Sequence, residues 1–200
     1  MSGTGISFVE YRGNKKIYAV SIDSFYVERA RLGPFAFGPL RIAHLHKVKI
    51  DLYLDEIEPI LHAKKSRDAS AAGGAFDLES AISNIKRNLR FQAKQIKGIK
   101  LKDISLRLWK DEKRVFRISS DTATVDRKTG DIIFTGHAMM DAGQNGNLVS
   151  YRIKWNRKTN LFSIRDPYIF TKGNQRIEGT GMETDYLFSP VRQQNLNKQS

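Results

Sequence analysis

A mainly β protein is expected: an antiparallel, twisted jelly roll or incompletely closed barrel, with one amphipathic helix set between two related strand–turn–strand units. Three observations lead there. The stretch from Ile6 to Arg29, "ISFVEYRGNKKIYAVSIDSFYVER", lies without a gap on Ile104 to Arg127, "ISLRLWKDEKRVFRISSDTATVDR". Ile6/Ile104, Ser7/Ser105, Ser21/Ser119, Asp23/Asp121 and Val27/Val125 coincide, and Tyr11/Trp109, Tyr18/Phe116 and Glu28/Asp126 keep their chemical type. Second, apolar and polar residues alternate in short runs broken by turn signals, the period of half-buried strands. Third, a single stretch carries apolar residues at helical spacing. One hairpin cannot bury its apolar face alone, so a chain with two can extend them into a larger sheet.

In chain order, "SFVEY" turns at Gly13-Asn14 into "KIYAVSI", and "GPFAFGPL" is a bent connection. The long strand "RIAHLHKVKIDLYL" would place Ile42, His44, His46, Val48, Ile50, Leu52 and Leu54 on one face. "KKSRDASAAGG" (Lys64–Gly74) has the composition of a flexible connection. The helix is expected over Leu78–Lys97, capped by Asp77 and ended by Gly98. Leu78, Ile82, Ile85, Leu89 and Ile96 form its apolar stripe, beside a basic ridge of Lys86, Arg90, Lys94 and Lys97. Docking of the stripe on the sheet is expected, with the ridge left to solvent. The alternative is contact with an anionic membrane surface.

Beyond it the runs "RVFRIS", "DIIFTGHAMMD", "LVSYRIKW", "LFSIRDPYIF" and "QRIEGTGMETDYLF" are strands. In "LVSYRIKW", Val149, Tyr151, Ile153 and Trp155 would share a face, after a tight turn at Asn145-Gly146 with positive φ at both. In "DIIFTG" either Ile132 and Phe134 or Ile133 points inward. The organisation expected is a first β unit over 6–62, a linker and helix over 63–98, a second β unit over 99–190 and a polar tail over 191–200.

Among the 200 residues, 34 basic against 21 acidic side chains give a formal charge of +13. Such a balance calls for an anionic partner: nucleic acid, phospholipid headgroups or a phosphorylated glycolipid. Without cysteine, disulfides and thiolate metal sites are excluded. No nucleophile elbow, phosphate loop or metal-hydrolase motif is present, so no enzymatic activity and no cofactor are expected. His44 and His46 lie two apart, but no spacing supplies a third ligand from His62, His137 or a carboxylate. They are read as polar residues at a strand end or crossing, with no metal. Asp23/Asp121 and Glu28/Asp126 recur with the repeat and are read as turn and strand-end hydrogen-bonding groups. Nucleic-acid binding by a basic β surface through Tyr11, Tyr18, Tyr151 and Trp155 is the rival reading, disfavoured because these aromatics alternate with charge as on a half-buried sheet.

From Ile104 to about Leu187 the chain resembles the OstA-like β-jellyroll domain of lipopolysaccharide-export (Lpt) periplasmic proteins. Carrying the resemblance are Ser120-Asp121 with Val125-Asp126, the turn-strand Thr129-Gly130-Asp131-Ile132 with Phe134 and Gly136, the hairpin of Leu148, Ser150, Ile153, Trp155 and Phe162, and the closing Gly173, Ile177-Glu178-Gly179, Gly181-Met182 and Asp185. The inserted segment over 64–97 is not part of that domain. The resemblance implies a V-shaped roll whose apolar interior holds acyl chains, and pairing of sheet edges with like Lpt domains. It implies a periplasmic location, or an inner-membrane anchor facing the periplasm that lies outside this sequence. The expected function is non-enzymatic binding and transport of an anionic amphipathic lipid, lipopolysaccharide first, as a bridge component across the bacterial envelope. A purely architectural module pairing by sheet edges is a further alternative. Expected lining residues are Phe116, Ile118, Phe134, Val149, Tyr151, Ile153, Trp155 and Phe162. Phosphates would meet Lys86, Arg90, Lys94, Lys97, Arg152 and Lys154.

Overall fold

The computed structural model describes residues 2–32, 35–54, 96–126, 129–156, 158–193 and 196–197. Strands β1 (Ser2–Arg12), β2 (Lys15–Leu32) and β3 (Phe35–Tyr53) form the first unit. The second contains β4 (Ile96–Lys110), β5 (Lys113–Val125), β6 (Ile132–Asp141), β7 (Asn147–Asn156) and β8 (Leu161–Ile164). It continues with β9 (Tyr168–Lys172), β10 (Gln175–Gly179), β11 (Met182–Thr184), β12 (Pro190–Gln193) and β13 (Leu196–Asn197).

All of them belong to one 13-stranded sheet whose main path runs β1-β2-β3-β4-β5-β6-β7-β8-β11-β12. Every pairing is antiparallel except β3–β4, which is parallel. The two hairpins share one register. Ile6 opposes Ile22 as Ile104 opposes Ser120, and the register shift at Glu10/Tyr11 recurs at Leu108/Trp109. Across the parallel junction, Asp51 accepts hydrogen bonds from Trp109 Nε1 and Arg107 Nη2, both at 2.7 Å. The Arg107 guanidinium in turn lies 5.5 Å from the Trp109 ring centre.

Extended strands are interrupted along a line that crosses the sheet. Gly5 in β1, Lys47 in β3, Asp103 in β4, and Gly136 and His137 in β6 have positive φ. The β5–β6 register shifts between Ser119 and Thr122. At this line the inward-facing parity changes: in β4 from Ile99 and Leu101 to Ile104, Leu106 and Leu108, and in β5 from Phe116 and Ile118 to Ala123. In β6 one added residue bends the strand, and in β1, β3 and β4 the same line, the crease of the sheet, is marked by positive φ without a register shift. The apolar faces of the sheet's two leaves meet: Phe116 of β5 and Phe162 of β8, on strands that do not pair, have ring centres 5.5 Å apart.

The crease explains several departures from simple alternation. His44 and His46 do not share a face with Val48, Ile50, Leu52 and Leu54, because Lys47 reverses the parity; Ala43 and Leu45 point inward instead. In β7, Leu148 and Ser150 point inward, then Ile153 and Trp155, while Val149 (44%) and Tyr151 (65%) are exposed. Ile132 and Phe134, not Ile133, face the core. "LFSIRDPYIF" is two strands that go to different neighbours, β8 extending the far end of β7 and β9 the near end.

The predicted helix falls outside the described residues except at its end, where Ile96 and Lys97 begin β4 and Gly98 pairs with Ile42 rather than capping a helix. At the other terminus, the expected polar tail contributes β12 and β13, paired with β11 and β10. The β6–β7 turn is also different. A 3-10 turn over Gly143–Asn145 makes it, and positive φ falls on Gly143 and Gly146, not on Asn145.

Those two glycines make a paired test. A Cβ at Gly143 would meet nothing within 4 Å, whereas one at Gly146 would come 2.6 Å from the Thr171 carbonyl oxygen and 2.8 Å from the Phe170 ring. Gly143→Ala is expected to lose about 1 kcal/mol from left-handed backbone strain alone. Gly146→Ala should lose clearly more in the same urea titration, because a backbone oxygen cannot step aside.

Candidate functional site

Leu106, Leu108, Phe116 and Ile118 on one leaf face Ile132, Phe134, Trp155 and Phe162 on the other, and together line a wholly apolar crevice. Tyr186 closes over Phe116 edge-on at 6.2 Å. Inside the crevice Trp155 is oriented by donating its Nε1–H to Asn160 Oδ1 at 3.0 Å. Of the expected lining residues, Phe116, Ile118, Phe134, Trp155 and Phe162 are here, and Ile153 is buried in the same core. Val149 and Tyr151 are not; the change of parity in β7 sends them to the opposite face. The crevice has a volume of about 10 Å³, the space of about one water. The expected unsealed trough is therefore closed in this structure, with its side chains meshed.

Of the expected phosphate-binding residues, Lys86, Arg90 and Lys94 lie outside the described residues, and Lys97 is in β4. Arg152 and Lys154 carry carboxylate partners. Arg152 Nε is 3.2 Å from Asp166, and Lys154 Nζ is 2.8 Å from Asp131, whose side chain is only 5% exposed. A buried carboxylate held by one cation makes that pair costly to separate.

The outer face of the crease carries a larger feature that alternation alone does not disclose. A groove of about 930 Å³ is lined by Asp121, Thr122, Thr135, Gly136, His137, Val149, Tyr151, Tyr168, Ile169 and Glu178, among others. Asp121 Oδ2 and His137 Nδ1 are 2.7 Å apart, and a Cβ on Gly136 would come 2.6 Å from that same oxygen. The repeated aspartates thus sit at the crease, and each reaches a basic residue of positive φ on the next strand. Asp121 reaches His137; Asp23 reaches Lys47 at 3.6 Å. Glu28 bonds His44 Nε2 at 2.8 Å, beneath a Tyr26 ring stacked 4.5 Å from the imidazole. Among the described residues no cluster of three or more His, Cys, Asp or Glu could hold a metal.

The fold is a creased open β sheet with an apolar interior, in a chain of formal charge +13. Residues 88–186 match the family described as "Lipopolysaccharide-assembly, LptC-related". Residues 88–186 thus form an LptC-related segment, which associates the chain with lipopolysaccharide transport, in a family of transport components rather than enzymes. Members of that family are periplasmic or anchored in the inner membrane. No curated protein matches the chain. Among the described residues no helix is long and apolar enough to cross a membrane.

Burial pushes the Tyr168 hydroxyl above its ordinary value of 10.0. The folded chain therefore retains that proton after the unfolded chain has released it. Its contribution is intact below about pH 10 and falls as pH rises further. Tyr168→Phe should lose less stability than the unaltered chain between about pH 9 and pH 11, as followed by urea denaturation.

Proposed function

We propose that this protein binds lipopolysaccharide without chemical change and hands it along a periplasmic bridge of like domains. The family match over residues 88–186 carries the reading. Physical support comes from the sheet itself. Its path has two ends, β1 and β12, and among the described residues no hydrogen-bonded ladder joins them. Across the crevice the leaves meet through apolar side chains, so they part without breaking strand pairing. Each acyl CH₂ then taken from water gains about 0.8 kcal/mol, in place of contacts such as Phe116–Phe162. Phe116, Ile118, Phe134, Ile153, Trp155 and Phe162 are the proposed acyl-chain contacts. Phosphates meet the basic segment of Lys86, Arg90, Lys94 and Lys97, while Arg152 and Lys154 would have to exchange their carboxylates for phosphate.

The partners proposed are further Lpt-type β domains, added at a free sheet edge by main-chain hydrogen bonds. The shared register of the two hairpins supports a duplicated unit in which the first copy lengthens the sheet. The proposed place of action is the periplasmic side of the inner membrane.

A photo-crosslinking residue at Phe162 should capture lipopolysaccharide in cells that make it, and one at exposed Val9 should not. Native mass spectrometry of the purified protein should show retained lipid. Salt-sensitive nucleic acid without lipid, together with equal crosslinking at both positions, would overturn the reading.

A further inference from the structure

Just outside the crease, one cross-strand row runs the width of the sheet. Ser7 pairs with Ser21, Ser21 with Lys49, Lys49 with Ser105, and Ser105 with Ser119. The row continues through Met139, Val149, Ile169 and Glu178. Its first part is hydroxyls around a lysine, and its second part is apolar up to Glu178. These are the serines that recur in both copies, and neither turn geometry nor the core employs them.

Beside the polar part lies a cleft of about 370 Å³, lined by Lys47, Lys49, Ser105, Ser119, Ser120 and Arg117, with Asp103 also facing it. Arg117 Nε is buried there without a hydrogen-bond partner. The Arg117 side chain lines this cleft beside two lysines and three serine hydroxyls, a setting whose chemistry suits an oxyanion. Beside the apolar part lies the 930 Å³ groove, in which Tyr151 offers an exposed ring and Thr135 and Glu178 offer hydrogen-bonding groups. An aromatic face with polar groups at its margin suits the C–H face and hydroxyls of a sugar ring. Asp121 and His137 line both cavities and form their shared wall. From Ser119 to Val149 is two strand spacings, about 10 Å, a distance that one phosphorylated saccharide spans.

We propose that the outer face of the crease is a second binding site, specific for a phosphorylated sugar. The phosphate lies among Lys49, Arg117, Ser105 and Ser119, and the ring lies against Tyr151. This inference rests on the lipopolysaccharide reading for the source of the sugar, the saccharide end of the same cargo, and it is separate from the acyl crevice. The two sites face opposite sides of the sheet, so occupancy of one leaves the other free.

Lipopolysaccharide oligosaccharide stripped of all acyl chains is the probe, titrated into ¹⁵N-labelled full-length protein. Amide shifts are expected at Ser105, Ser119, His137, Tyr151 and Ile169, and not at Phe116 or Phe134. Lys49→Gln, Tyr151→Ala and enzymatic dephosphorylation of the probe should each weaken binding about tenfold, roughly 1.4 kcal/mol. Both side chains are at the surface, so the variants keep their folded spectra. No shift at millimolar probe, shifts confined to the crevice, or the full pattern with inorganic phosphate alone would overturn the inference. Acylated lipopolysaccharide, tested on the unaltered protein by native mass spectrometry, separates the two claims. Retention of the lipid with no oligosaccharide binding sinks the outer site and leaves the proposed function; loss of both sinks both.

Discussion

An open sheet with one apolar face must bury that face, and among the described residues it does so against itself. The solution is geometric rather than compositional. Residues in left-handed conformation on several strands fall in line, and the sheet folds along them until Phe116 meets Phe162. Glycine serves at Gly136, where a side chain would strike Asp121. Elsewhere Lys47, Asp103 and His137 take the left-handed backbone, and His137 Nδ1 lies 2.7 Å from Asp121 Oδ2. The same line therefore makes the core, exposes the bulged backbone on the convex side and gathers charged groups there.

Inside and outside are consequently different in kind. Within the fold, apolar rings mesh with almost no free volume, and any hydrocarbon guest exchanges protein contacts for its own. Outside, the crease leaves standing cavities with hydroxyls, cations and an exposed tyrosine. Two surfaces of such different polarity lie back to back across a single layer.

Strand identity was legible wherever alternation ran unbroken, as in "RVFRIS", and the hairpin repeat was legible because its identities survive without a gap. The Lpt resemblance rested on glycines and aspartates at turns, and those positions do carry turns and creases in the fold. What stayed hidden is what alternation cannot express. A break in alternation at Lys47, or between Ser150 and Ile153, has no composition of its own, so face assignments across it invert; His44 and His46, and Val149 and Tyr151, were misplaced for that reason. Lys97 and Gly98 read as a helix end because basic and apolar residues at that spacing fit either structure, and pairing with β3 decides for the strand. Nor could the outer groove be read, since it joins residues of strands far apart in sequence.

The parallel seam between β3 and β4 sets an order of events in folding. Both hairpins close through near neighbours, but Leu52 meets Leu108 only after a long excursion of chain has been brought home. Contacts of high sequence separation are slow to form, because loop-closure entropy precedes their reward. The β3–β4 junction is thus the pairing with the largest closure cost, and each hairpin closes without it. Until that junction closes, the flank of β4 is an open strand edge.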